Sequence, residues 1–182
     1  MAAYGLRPIK SAGAASQTGG FVEYKINTLG TAIFNGGCVT MTAGGGIDAL
    51  TDPVSNATTT AGVLVGARWT NAAGEIKYGQ YYDGVSTNTD AFAFISPARG
   101  GIFKVQGTIA FINAHRGVPY NTSGTSGSTT TGNSDLACTN GTAGSNPPLV
   151  VIDVVDDGVQ SGSSTPDLVV RFATGAIQEL IS

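Results

Sequence analysis

The sequence predicts an all-β domain, either a β-sandwich or a small β-barrel, preceded by an extended N-terminal arm. Its apolar runs are short and separated by turn residues, as in domains built from many short strands. No window of a dozen residues keeps an apolar i, i+3, i+4 stripe free of glycine and proline, which argues against amphipathic helices. With 182 residues, 41% of them hydrophobic, the chain is long enough to bury one real core.

Nine apolar runs are predicted as strands, and glycine-rich turns separate the early ones. The runs cover residues 22–26, 31–34, 38–41, 61–69, 76–82, 91–95, 102–109, 149–155 and 168–172. Asn71-Ala-Ala-Gly74 predicts a hairpin loop, and the strand after it is polar enough to face water in part. Phe92 and Phe94 alternate with small residues, so they share one face of their strand. Residues 109–115 allow at most one turn of helix.

Residues 1–20 are predicted to form the arm, and residues 21–182 the single β-rich domain. Pro8 and the glycines of the arm argue against a regular helix or strand. The arm carries apolar and basic side chains, namely Tyr4, Leu6, Ile9, Arg7 and Lys10. We expect such a segment either to fray or to gain order by lying on another molecule. It should therefore be mobile in the free protein and fixed on its partner.

The composition shifts at residues 120–148, where a stretch rich in serine, threonine and glycine carries no charge from Asn121 to Asn133. Such low complexity is typical of a flexible surface loop. The alternative is an ordered excursion, such as a small hairpin, held by a neighbouring subunit. The C-terminal residues 175–182 include three apolar side chains and are a second candidate for packing on a partner.

Residues suited to catalysis or metal binding are scarce. His115 is the only histidine, and no Gly-x-Ser-x-Gly elbow exists, so we interpret His115 as a loop imidazole with a local hydrogen bond. Cys38, Cys138 and His115 lack the spacing of zinc ligands. Asp153-Val-Val-Asp-Asp-Gly158 brings carboxylates together, as calcium requires, but it lacks EF-hand spacing and is typical of a turn. We predict neither catalysis nor a cofactor or metal.

The charge pattern also excludes some partners. The net charge is −3, and the nine lysines and arginines are scattered singly, which argues against nucleic-acid binding. No apolar stretch approaches the roughly 20 residues of a membrane span. Because no secretion signal is evident, Cys38 and Cys138 are expected to be reduced thiols. Trp69 ends a strongly apolar run, which favours core or interface packing.

Six short segments spread over most of the chain give it a resemblance to a known family. They are Tyr4-Gly-Leu-Arg-Pro-Ile-Lys10, Thr18-Gly-Gly-Phe-Val-Glu-Tyr24, Ala61-Gly-Val-Leu-Val-Gly66 leading to Gln80-Tyr-Tyr82, and Val151-Ile-Asp-Val-Val155 followed by Asp167-Leu-Val-Val-Arg-Phe172. With these segments the chain resembles capsid cement proteins, also called decoration proteins, of tailed bacteriophages, especially marine and cyanobacterial phages.

The resemblance implies a protein that binds the outer surface of an icosahedral head and bridges neighbouring major capsid subunits. It implies a homotrimer, with a dimer as the alternative, located on the virion after assembly in the host cytoplasm. The arm would then reach the shell, and we predict shell contacts for Tyr4, Arg7, Pro8 and Lys10. Arg7 suits bidentate carboxylate binding, and Pro8 lowers the entropy lost when an extended arm is ordered.

Two other functions remain open at this point. One is another structural virion protein, such as a head fibre, a tail component or a host-adhesion module, for which the serine- and threonine-rich stretch would suit an exposed loop. The other, from a different class, is a carbohydrate-active β enzyme, which would need a pair of carboxylates that the sequence alone does not single out.

Overall fold

In the computed structural model of the chain, the regular secondary structure of the described residues is almost all β-strand. The structure describes residues 3–11, 20–50, 60–111, 113–124, 126–139, 147–155 and 165–178. In these residues twelve strands follow in chain order: β1 Arg7–Ser11, β2 Val22–Lys25, β3 Cys38–Met41, β4 Ile47–Ala49, β5 Thr60–Thr70, β6 Ile76–Gly79, β7 Thr89–Pro97, β8 Gly101–Gln106, β9 Pro119–Ser123, β10 Ala137–Thr139, β11 Leu149–Val155 and β12 Asp167–Phe172. The prediction of an all-β domain is confirmed.

Helical structure in the described residues is limited to two 3-10 turns, Asn113–His115 and Thr174–Ala176. The first lies at the end of the region where at most one helical turn was predicted. No helix in the described ranges is long and apolar enough to cross a membrane.

The strands form two antiparallel sheets of six strands each. Sheet I has the order β1-β8-β12-β11-β9-β10, and sheet II has the order β2-β7-β5-β3-β4 with β6 beside β5. Sheet II curls round until its ends meet, because Ile26 after β2 bridges Ile47 in β4. The Asn27 N–H also donates to the Ile47 carbonyl at 2.9 Å. The fold therefore combines the two predicted architectures, a barrel-like sheet II packed against sheet I.

One apolar core fills the inside of sheet II. Ile47, Leu64 and Trp69 are buried there, together with Ile26 and Tyr82 from the connecting segments. The Trp69 ring meets the Tyr82 ring nearly at a right angle, with 5.6 Å between their centroids. Trp69 is therefore a core residue, the first of the two roles predicted for it.

A second core lies between the two sheets. Phe103, Val151 and Phe172 of sheet I are buried in it together with Cys38 and Val63 of sheet II. Neighbouring residues of a strand point to opposite faces. Val63 therefore belongs to this core, whereas the next residue along β5 belongs to the core inside sheet II.

Eight of the nine predicted strands are present, and β3 and β11 have the predicted bounds. The prediction at residues 31–34 is wrong, since Ile33 makes only a single bridge, to Tyr82. Four short strands were not predicted: β1, β4, β9 and β10.

The N-terminal segment departs most from its prediction. Residues 7–11 form β1, which pairs with β8 at the edge of sheet I. Leu6 is fully buried in the core between the sheets, and its N–H donates to the Gly36 carbonyl at 2.9 Å. We expected this segment to form no strand and to become ordered only on another molecule. For residues 3–11 that expectation is wrong. Residues 1–2 and 12–19 lie outside the described residues.

The described part of the C-terminal segment also packs on its own domain. Ile177 bridges Thr60 of β5, and the Gln178 N–H donates to the Thr60 carbonyl at 2.8 Å. The side-chain oxygen of Gln178 accepts the Met41 N–H at 2.8 Å. Residues 177 and 178 therefore bind to their own domain. Contact of residues 175–182 with a partner stays a prediction, and residues 179–182 lie outside the described residues.

Candidate interaction surface

Tyr4, the first residue predicted to touch a shell, is bonded to sheet I. Its hydroxyl donates to a carboxylate oxygen of Asp167 in β12 at 2.5 Å, and Lys104 of β8 pairs with the same carboxylate at 2.6 Å. Partial burial, and then the hydrogen bond with Asp167, raise the pKa of the Tyr4 phenol above its ordinary value. The Tyr4 side chain thus holds the N-terminal segment on β12.

Arg7 joins the same segment to two connecting segments. Its guanidinium donates to the side-chain oxygens of Asn35 at 2.8 Å and Asn133 at 2.7 Å. Asn35 is itself buried and donates to the Val65 carbonyl at 2.7 Å, which holds the acceptor in place. Within the chain, the partners of Arg7 are therefore two neutral amides, and its binding to a shell carboxylate stays a prediction.

Pro8 and Lys10 occupy register positions opposite Phe103 and Ile102 of β8. Proline is tolerated in an edge strand or at a bulge, and β1 is an edge strand with an irregularity between Pro8 and Lys10. Shell contact by the N-terminal segment stays a prediction. The bonds of Tyr4 and Arg7 give both residues a second role, which is to fasten β1 to the domain.

The serine- and threonine-rich region is ordered in its described part, residues 126–139. Gly127 bridges Ser134, the Ser128 N–H donates to the Asn133 carbonyl at 2.9 Å, and the chain then enters β10. The prediction of a flexible loop is therefore wrong for these residues, and the alternative of an ordered excursion with a small hairpin describes them. Residues 125 and 140–146 lie outside the description.

The excursion makes contacts within its own chain. The neighbouring subunit named in the alternative prediction stays a prediction. The rings of Phe34 and Tyr81 stack with centroids 5.5 Å apart, and the Gln80 side chain donates to the Thr131 carbonyl at 2.5 Å. Gly127 lies so close to Phe34 that a Cβ would stand 2.3 Å from the ring. A glycine is required at this point of contact.

The groups considered for catalysis and metal binding are scattered in the structure. His115 packs edge-on against Phe111, with ring centroids 5.5 Å apart. Asp153 pairs with Arg116, and the two acidic residues after β11 lie outside the description. Among the described residues, no three His, Cys, Asp or Glu side chains are grouped to hold a metal ion.

The two cysteines are buried and unpaired in the structure. Burial raises the pKa of both the Cys38 and Cys138 thiols to about 12. Both thiols are therefore protonated at neutral pH and poorly reactive, since the thiolate is the nucleophile. Cys38 lines a cleft of about 200 Å³ together with Phe34, Leu50 and Leu136. That volume is below the roughly 300–1,000 Å³ of typical small-molecule sites.

Among the residues that the structure describes, the most exposed large apolar side chains belong to the outside of sheet II. Ile76 and Tyr78 of β6 are 63% and 73% exposed. Across the sheet, Tyr78 stands opposite Arg68 of β5, and Arg68 stands opposite Phe92 of β7. Directly opposite residues of antiparallel strands share a face. We call this surface the aromatic face, formed by Ile76, Tyr78, Arg68, Phe92, Phe94 and Glu23.

The aromatic face is the uncovered continuation of a surface that sheet I covers at its other end. Val63 of β5 is buried against sheet I, and the bulge between Leu64 and Gly66 keeps Arg68 on that same face. Phe92 and Phe94 share it, as predicted, and both are half-buried. The sequence did not indicate that this face lies outside, because alternation fits either side of a strand equally well.

Arg68 is held in place across the aromatic face. Its guanidinium carbon lies 4.1 Å from the centroid of the Phe92 ring, and its Nε donates to a Glu23 carboxylate oxygen at 2.7 Å. Stacking over the ring orients the guanidinium, and the ion pair with Glu23 in β2 ties three strands together. The face thus presents aliphatic, aromatic and preordered charged groups side by side, the composition typical of protein interfaces.

No known protein family, curated protein or solved structure matches this chain.

Proposed function

We propose that this protein is a capsid cement protein of a tailed phage, which binds the outside of an icosahedral head and bridges its major capsid subunits. The exposed aromatic face of sheet II carries this proposal, together with the resemblance of the sequence segments. In this proposal the aromatic face, rather than Tyr4 and Arg7, makes the principal contact with the shell.

The side chains of the aromatic face suit protein recognition. Tyrosine and arginine are enriched among the residues that dominate binding energy, and Tyr78 and Arg68 lie opposite each other here. Fully burying the exposed part of an Ile or Tyr side chain contributes on the order of 1–3 kcal/mol. A surface with two such side chains and a preordered arginine supports moderate affinity for each copy.

Moderate affinity is sufficient for a protein that acts in many copies. Each molecule that bridges two shell subunits makes its second contact within an existing complex, at a high effective concentration. The internal bonds of β1 suit this role as well, because Tyr4 and Arg7 fasten the edge strand of sheet I to the rest of the domain. Such a function requires shape and stability but no active site.

The test is binding of purified protein to undecorated heads of the phage that encodes it, followed by co-sedimentation. We expect saturable binding of hundreds of copies per head. A Tyr78→Lys variant should lose at least about tenfold in affinity, which corresponds to about 1.4 kcal/mol.

The matched control is Val118→Lys, which adds the same charge at a 39%-exposed position before β9. Its binding should equal that of the wild type. Equal losses in both variants would assign the effect to charge alone, and undiminished binding by Tyr78→Lys would exclude the aromatic face as the attachment surface.

A second candidate is another virion structural protein with a host-adhesion role. The tip of the excursion favours it, since residues 128–131 are exposed while the side chains of Gln80 and Tyr81 donate to carbonyls of the tip and hold it in place. Copy number on purified particles separates the two functions. Hundreds of copies per particle support the cement function, and a handful supports a tail or vertex location.

A further inference from the structure

Strand β6 has one open edge in the described part of the molecule. It pairs only with β5, and its residues from Ile76 to Tyr78 are all exposed. Proteins usually protect such edges with short strands, lysines, proline, bulges or covering segments, because unpaired backbone groups invite another strand. β6 is short and carries Lys77, but it has neither a proline nor a register shift.

The backbone groups that face the open edge can be identified from the hydrogen-bond pattern. At the start of the hairpin the Asn71 N–H donates to the Glu75 carbonyl at 2.9 Å. Hydrogen-bonded pairs alternate along an antiparallel ladder, so Lys77 and Gly79 bond to β5. The N–H and C=O groups of Ile76 and Tyr78 therefore point away from β5, toward the open edge.

We propose that β6 pairs with β6 of a second copy of this chain, antiparallel, about a two-fold axis at Lys77. This register places Ile76 of each copy opposite Tyr78 of the other. The two pairs exchange four backbone hydrogen bonds through the outward-pointing groups. Each aliphatic–aromatic pair across the strands adds roughly 0.2–1 kcal/mol.

Neighbouring registers are poorer. An axis at Ile76 would place Tyr78 opposite Gly74, which sits in the hairpin turn with a φ of +80°. An axis at Tyr78 would require Gln80, which lies outside β6 and whose side chain is bonded to Thr131. The axis at Lys77 alone uses all the outward groups of the strand.

The charges near the axis include one like pair and two opposite pairs between the copies. Lys77 pairs with Glu75 of its own chain at 2.7 Å. The proposed axis sets the two Lys77 side chains opposite each other, with Glu75 of the other copy on each diagonal. Diagonal positions are about 7–8 Å apart, within reach of long side chains. The two lysines repel each other across the axis, and the two glutamates offset that repulsion because the four charges sum to zero. The backbone hydrogen bonds and the Ile76–Tyr78 pairs, rather than charge, therefore favour a second copy at this edge.

The pairing has a consequence for the aromatic face. A two-fold axis perpendicular to the extended sheet keeps both aromatic faces on the same side, so they join into one surface. The inference does not rest on the proposed function, because β6 would pair in the same way without any shell. It selects the dimer, the second of the two oligomeric states expected from the resemblance.

Disulfide cross-linking of the full-length protein tests both the pairing and its register. The axis brings the two residues at position 77 to a Cα separation of about 4.5 Å, within the range that a disulfide requires. We expect Lys77→Cys to form covalent dimers under mild oxidation. The native thiols are buried and should not interfere.

The neighbouring positions supply the controls. Ile76→Cys and Tyr78→Cys should each stay monomeric alone, since their symmetry mates are more than about 7 Å apart. Mixed together, these two variants should cross-link to each other. Val118→Cys measures random collision. Dimers of Ile76→Cys alone would overturn the register, and a Lys77→Cys yield no higher than that of Val118→Cys would overturn the pairing.

Sedimentation of the unmodified protein, with no shell present, gives an independent measurement. We expect the mass to double as the concentration rises, and the Ile76→Lys variant to need at least about tenfold higher concentration, or about 1.4 kcal/mol. A mass that stays monomeric at all concentrations would contradict the proposal. This sedimentation experiment contains no shells, so a protein that fails to bind shells could still dimerise. The experiments therefore distinguish failure of the β6 pairing from failure of the proposed cement function.

Discussion

Replacing Leu6 with alanine tests whether the N-terminal segment is part of the folded domain. Leu6 is fully buried between the two sheets. A buried Leu→Ala change costs about 3–5 kcal/mol, because it removes apolar contacts and leaves a cavity. For a domain of this size each 1 kcal/mol lowers Tm by about 2–4 °C, so a loss of about 3 kcal/mol predicts a fall of roughly 6–12 °C.

The assay is urea or thermal unfolding of the isolated protein, followed by circular dichroism. Ile9→Ala is the matched control, since Ile9 lies three residues further along the same segment, in β1, but is 50% exposed at the irregularity of that strand. We expect it to change the free energy of unfolding by no more than about 0.5 kcal/mol. If both variants unfolded like the wild type, residues 3–11 would be a free arm in solution and the reasoning would be refuted.

Three further predictions follow from single contacts. Arg7→Ala should lower the free energy of unfolding by about 2 kcal/mol in urea titrations, since hydrogen bonds from a charged group contribute about 1.5–3 kcal/mol; an unchanged midpoint would remove its fastening role. Gly127→Ala should push the excursion off Phe34 and speed amide exchange of residues 128–134, and unchanged exchange rates would contradict that contact. Burial raises the pKa of the Cys38 and Cys138 thiols from 9.0 to about 12, so the unfolded chain releases these protons first as pH rises. The free energy of unfolding should therefore fall between pH 9 and 12, and Cys38→Ala should reduce that fall; an equal fall in this variant would assign it to other groups.

Strands with strong alternation or long apolar runs were predictable from sequence. The run containing Phe92 and Phe94 gave a strand with both rings on one face, since side chains alternate with a period of two. The weak strands were missed because tertiary pairing, not local propensity, stabilises them. β1 contains Pro8, which reads against a strand locally but is tolerated at a sheet edge.

The excursion shows a second limit of prediction from composition. Low complexity describes a segment by its average residue, whereas its order depends on particular contacts at a distance. Asn133 accepts a hydrogen bond from Arg7, which lies 126 residues away in the chain. Gly127 fits beside Phe34 because it lacks a Cβ. Neither partner could be identified from the sequence of the excursion itself.

For the aromatic face, the sequence predicted the exposure of one strand but not which strands lie beside it. Partial exposure of the strand after the Asn71 hairpin was expected, and Ile76 and Tyr78 are indeed exposed. Arg68 lies beside Tyr78 and Phe92 only because β5 pairs with both β6 and β7, and that pairing is set by the fold. The N-terminal residues were predicted to bind a shell because they combine charged and apolar side chains. In the structure the same side chains, those of Tyr4, Leu6 and Arg7, fasten β1 to the domain.

A reconstruction of the phage particle, at a resolution that resolves strands, tests the proposed function most directly. The account predicts density for this domain at many equivalent positions on the outside of the head, with strands β6, β5 and β7 turned toward the capsid subunits. Density at the tail, or a domain seated on the head with its aromatic face turned to solvent, would contradict it.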